Sequence, residues 1–125
     1  MLMLNFFFQL RMLLRLMPQR GGDGTVHGII AMNDTGSDVL TLFDTDMPHL
    51  GNIQAYAGWR GQTAVRNANG TIDICPEILV QVQLARDDSS PWSDWIDDLA
   101  IVRPARPGVA RLSGVGIRED KQQLP

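Results

Sequence analysis

Cysteine, histidine and lysine are almost missing from this chain of 125 residues. Cys75 is the single cysteine, so the chain cannot close a disulfide on itself. With only His27 and His49 beside it, the ligands for a structural zinc site are too few, and neither a metal nor another cofactor is expected. Lys121 is the one lysine, and the acids are nearly all Asp. The net charge of −3 gives no reason to expect a nucleic-acid partner. The chain has no internal repeat, and its length fits one domain with a modest core.

No acid occurs before Asp23, and residues 1–17 are mostly Leu, Met and Phe, interrupted by Asn5, Gln9, Arg11 and Arg15. The block is shorter than the roughly 20 apolar residues of a membrane-crossing helix, and its arginines oppose burial in lipid. A secretory leader would carry its charge before the apolar run and end in small residues. An organelle presequence would suit the Arg-rich, acid-free character, but Ser is absent. We therefore expect an amphipathic helix or an apolar extension that the core does not need. Membrane association through residues 1–17 is left open but not favoured. Residues 1–24 are then extension and Gly-rich linker, residues 25–117 the domain, and residues 118–125 a polar tail.

From Thr25 onward the pattern is that of an all-β fold. Residues 25–33 and 39–43 read as strands, 47–52 as a turn, and 53–59 as a short strand. Two β-type runs, 63–66 and 71–74, flank Asn67-Ala68-Asn69-Gly70, and Asn-Gly in that setting predicts a hairpin. Pro76 predicts a bend or an edge at Cys75-Pro76-Glu77, before the alternating strand 78–84. Ser90 as a cap, Pro91 in the first turn, and Trp92, Trp95, Ile96 and Leu99 at helical spacing predict one short helix. A strand over 99–102 follows.

Between the first two strands lies Asp34-Thr35-Gly36-Ser37, followed by Asp38. Gly36 allows close backbone approach and torsions closed to other residues. Thr35 and Ser37 supply short hydroxyls able to orient backbone and carboxylate. One carboxylate is half of what general acid–base peptide hydrolysis needs. Two carboxylates in contact share one proton; the ionised one activates water while the protonated one polarises the scissile carbonyl.

This segment resembles the active-site turn of the retropepsins, the single-lobe aspartic proteases of retroviruses and retroelements. A second family element, an apolar pair followed by Gly near the C-terminus, has its counterpart in Leu112-Ser113-Gly114. The hairpin tip Asn67, Ala68, Asn69 and Gly70 stands where the family carries its substrate-covering flap. The resemblance implies a closed acid-protease barrel and a homodimer that hydrolyses a peptide or protein substrate through two Asp34 carboxylates. It makes Asp34 catalytic and Thr35 a hydroxyl bonded across the dimer axis. Gly36 would contact the substrate backbone and Ser37 would bond the aspartate. Asp38 would meet the substrate or an intersubunit arginine, and Leu112 and Gly114 would support the loop.

The chain departs from the family pattern at Asn33, Ser113 and Val115, in a hairpin tip poorer in glycine, and in its short polar tail. Those departures motivate an alternative, an inactive retroelement-derived domain used for protein binding. The sequons Asn33-Asp34-Thr35 and Asn69-Gly70-Thr71 bear on compartment, because a glycan on Asn33 would block the site. A cytoplasmic location is the expectation for an active enzyme. The two histidines read as ordinary polar residues, Cys75 as an inert thiol, and the acids at 87, 88, 94, 97 and 98 as a solvated face.

Overall fold

A computed structural model describes residues 9–32, 39–67 and 69–112 of the chain. The fold is all-β. Its strands are β1 (Gln9–Leu16), β2 (His27–Met32), β3 (Leu40–Phe43), β4 (Trp59–Arg66), β5 (Ile72–Leu84) and β6 (Ile96–Arg103). They form one six-stranded sheet in the order β2-β1-β5-β6-β3, with β4 paired to β5 off that path. Every pairing is antiparallel except that of β3 with β6.

β1 corrects the reading of the N-terminal block as a helix or dispensable extension. Gln9–Leu16 is an inner strand, paired to β2 on one edge and β5 on the other. Leu10, Met12, Leu14 and Leu16 are buried in alternation, while Gln9 and Arg11 face out. Arg11 and Arg15, four apart, share one face whether the segment is helix or strand, so their spacing does not separate the two. The period-2 burial of the apolar residues does. Arg15 reaches across to Gln81 (Nε to Oε1, 2.9 Å), its register partner on β5, and covers the Trp95 ring at 4.2 Å. After Met17 the chain turns through a 3-10 segment, Pro18–Arg20, and Gly21 closes that turn at φ 102°. Tyr56 locks the turn to the sheet: its hydroxyl accepts from Met17 N (2.9 Å) and donates to Leu79 O (2.6 Å).

β5 is continuous through Pro76, so of the expected bend or edge it is the edge that forms: at Pro76 the strand is paired to β4 alone, and β6 joins it from Glu77. Its partner β4 shifts register between Trp59 and Gln62, and Pro76 lies opposite Gln62 at the end of that irregularity. The missing proline N–H therefore falls where the ladder is already broken. One edge of the strand is shared, β4 taking residues 72–78 and β1 taking 80–84, while β6 pairs along the opposite edge over 77–82.

The short helix expected after Ser90 does not form. Residues 85–92 instead close a tight connection: Arg86 N donates to Ser90 O, Trp92 N to Leu84 O, and Ala85 bridges Pro91. Ser90 spends its N–H and hydroxyl on Asp88 Oδ1, and Ser93 Oγ accepts from Leu84 N. β6 then starts at Ile96, three residues before the predicted strand. Helical structure lies elsewhere, chiefly in the 3-10 segment Asp44–Leu50 over the predicted turn. No strand forms over 53–58.

The core is one cluster in which Met12, Leu14, Leu40, Leu42, Leu50, Ile78, Val80, Val82 and Ala100 are wholly buried. The expected closed barrel is not observed among the described residues: β2 and β3 end the sheet without pairing to each other. Arg111 and Leu112 lie between those two edge strands. Met32 N donates to Arg111 O (2.8 Å), Thr41 N donates to Leu112 O (2.9 Å), and Met32 and Leu112 form a parallel bridge. No helix among the described residues is long and apolar enough to cross a membrane.

Candidate active site

Residues 33–38, with Asp34, Thr35, Gly36, Ser37 and Asp38, lie outside the described residues, as do Ala68 and Gly114. What is described is the frame that carries them. The segment joins the end of β2 to the start of β3. Both of those strand ends are hydrogen-bonded to the adjoining residues Arg111 and Leu112. Leu112, expected below the loop, is thus in contact with both of its stems.

A buried charge cluster fixes that contact. Asp46, on the 3-10 segment, is 2% exposed. Its Oδ1 accepts from Arg111 Nη2 (2.7 Å) and His27 Nε2 (3.1 Å), and its Oδ2 from Arg111 Nε and Phe43 N (2.9 Å each). Arg111 approaches side-on with two parallel bonds, the strongest geometry for this pair. Its guanidinium also lies 5.0 Å from the centre of the Phe43 ring. Burial pushes the Asp46 carboxyl up, but the bonds from Arg111, Phe43 and His27 together hold it below its ordinary value. One carboxylate therefore ties β2 (through His27), β3 (through Phe43) and the Arg111–Leu112 segment into one unit. His27 also stacks on His49, ring centres 4.7 Å apart.

Across from that frame stands the β4–β5 hairpin. Asn67 N donates to Thr71 O, Gly70 N to Asn67 O, and Asn69 Oδ1 accepts from Thr71 N and Oγ1. Gly70 has φ 88°, the left-handed geometry for which the Asn-Gly pair is suited. The tip is fastened to the end of β6 and to the loop that follows it. Asn67 Oδ1 accepts from Arg103 Nη2, and Asp73 pairs with Arg106 (Nη1 to Oδ2, 2.9 Å). The Arg106 bond leads the influences that hold Asp73 below its ordinary value.

Hairpin and loop enclose a cleft of about 590 Å³. Asn67 and Asn69 line it from the tip, Arg103 from the end of β6 and Arg106 from the loop after it, and Leu112 lies at its wall beside the stems of residues 33–38. Of the predicted site residues, the structure brings Asn67, Asn69 and Leu112 to one cleft, with Gly70 shaping the turn.

Sequence reasoning missed Asp46, Arg111, Arg103 and Arg106. The Arg-x-x-Arg spacing at 103–106 was a legible signal of paired cations, whereas nothing local marks Asp46 as buried. Cys75 is buried, and burial pushes its thiol up, which suits a core residue better than a nucleophile. No group of three His, Cys, Asp or Glu among the described residues could hold a metal ion. No family model and no curated protein matches the chain.

Proposed function

We propose that the chain is a retropepsin-like aspartic endopeptidase, active as a homodimer in which each copy contributes Asp34. The observation that carries this reading is the frame around the Asp34-Thr35-Gly36-Ser37 segment. The segment links the two edge strands of the sheet, β2 and β3, and both stems are hydrogen-bonded to the predicted supporting residue Leu112 and its neighbour Arg111. That the β4–β5 hairpin shares a cleft with Leu112 supports its reading as the substrate-covering flap.

In this reading one ionised Asp34 takes a proton from water as the water oxygen adds to the scissile carbonyl. The protonated Asp34 of the second copy donates to the carbonyl oxygen. The tetrahedral diol collapses with the C–N bond breaking and a proton passing to the leaving amine. No covalent bond forms with the enzyme. The Asp46–Arg111 unit would hold Leu112, and with it the loop stems, against movement during the reaction.

The test is Asp34→Asn, assayed on a mixed peptide pool with cleavage read by mass spectrometry. Cleavage is expected to disappear while the circular dichroism and melting temperature stay those of the parent. Cleavage that persists in the variant would defeat the reading.

A further inference from the structure

The cleft between hairpin and loop is cationic, and its cations are incompletely paired. Three arginines line it: Arg66, Arg103 and Arg106. The described residues that line it include no carboxylate. Asp73, which does not line the cleft, pairs with Arg106. Arg103 gives one N–H to Asn67 Oδ1, while its Nε is shielded from solvent and has no hydrogen-bond partner among the described residues. Arg66 is exposed, and its guanidinium makes no hydrogen bond or ion pair among the described residues. Val109, Ala110 and Leu112 give the same cleft an apolar side.

The Arg103 Nε is closed to water and ligand alike, so a ligand is met by the Nη1 end of Arg103 and by Arg66. Guanidinium groups bind carboxylates through two parallel bonds, and a concave site of one sign concentrates its field on the ligand. We propose that this cleft binds peptides through an acidic side chain, the carboxylate of a Glu or Asp residue, held by Arg103 and Arg66. The apolar side takes the neighbouring part of the peptide. Asn67 contacts Arg103 at the end of β6, and Arg66 ends β4 of the hairpin, so a carboxylate bound by both also fastens the hairpin over the peptide. As a statement about substrate this rests on the proposed peptidase activity; as a statement about binding it does not.

The experiment uses labelled peptides that differ only by Glu or Gln at one position, scanned along the peptide. Binding is read by fluorescence anisotropy and cleavage by mass spectrometry on the same pairs. At one position the Glu peptide is expected to bind about tenfold tighter than its Gln twin. That ratio should shrink as salt is raised. It should approach one in the Arg66→Gln/Arg103→Gln double variant and persist in Arg103→Lys. A ratio near one at every position, a ratio unchanged in the double variant, or no binding of either peptide would overturn the inference. A Glu preference in binding without any cleavage upholds the inference and defeats the peptidase reading. Cleavage without a Glu preference does the opposite.

Discussion

Ile74 and Ile78 are the same residue type, four positions apart on the same strand, and they live in different worlds. Ile74 is 61% exposed on the hairpin arm of β5, where only β4 pairs with the strand. Ile78 is fully buried where β5 has neighbours on both edges. The inner half of β5 is held by apolar packing with Val80, Val82 and Leu84. The outer half is held at its tip by arginines, an asparagine and an aspartate. A strand's sequence gives its propensity, and its neighbours decide what each position contributes. Under the proposed function, this division would suit an arm that admits a peptide on a base that holds still.

Substitutions on the two halves sharpen that contrast. Ile78→Ala should cost about 2–5 kcal/mol, because it empties a packed site. Ile74→Ala, at an exposed position, should change stability by no more than about 0.5 kcal/mol. Urea denaturation of the pair measures both; equal losses would remove the distinction.

The frame beneath the loop gives the next effect. Asp46→Asn should cost about 2 kcal/mol, since it leaves the Arg111 guanidinium without its counter-charge in a largely buried place. The pH dependence has a definite sign. The folded value of Asp46 lies below its unfolded value, so its contribution is fully present above about pH 4 and is lost as pH falls through the folded value. The difference in melting temperature between parent and variant should therefore narrow on acidification from about pH 6 to about pH 3. A constant difference would show that the carboxylate charge is not what matters.

The smallest effect belongs to the hairpin tip. Arg106→Ala removes the exposed pair with Asp73, and such pairs contribute little to global stability. Hydrogen exchange at the amides of residues 67–73 should quicken, with the unfolding midpoint unmoved. Unchanged exchange would mean that the tip is held by the Asn67 contacts alone.

The sequence made β2, β3 and the hairpin legible because short β-type runs and the Asn-Gly turn are local signals. β1 was not, because two arginines four apart suit one face of a helix and one face of a strand equally. The connection before β6 misled for a related reason: Ser90-Pro91 begins a helix in isolation, but here Leu84, Ala85 and Arg86 take up its backbone partners. At the site, the Asp-Thr-Gly-Ser segment and Leu112 were readable as a motif. Asp46 was not, since its importance comes from Arg111 sixty-five residues away, a pairing created only by the fold.

The central claim, that two copies each supply Asp34 to one site, is tested most directly by titrating the parent protein with Asp34→Asn. Mixed dimers carry one carboxylate at the site, so excess variant should drive peptide cleavage toward zero as the copies exchange. Cleavage that is indifferent to excess variant, under conditions where sedimentation shows the two exchanging, would contradict a shared site.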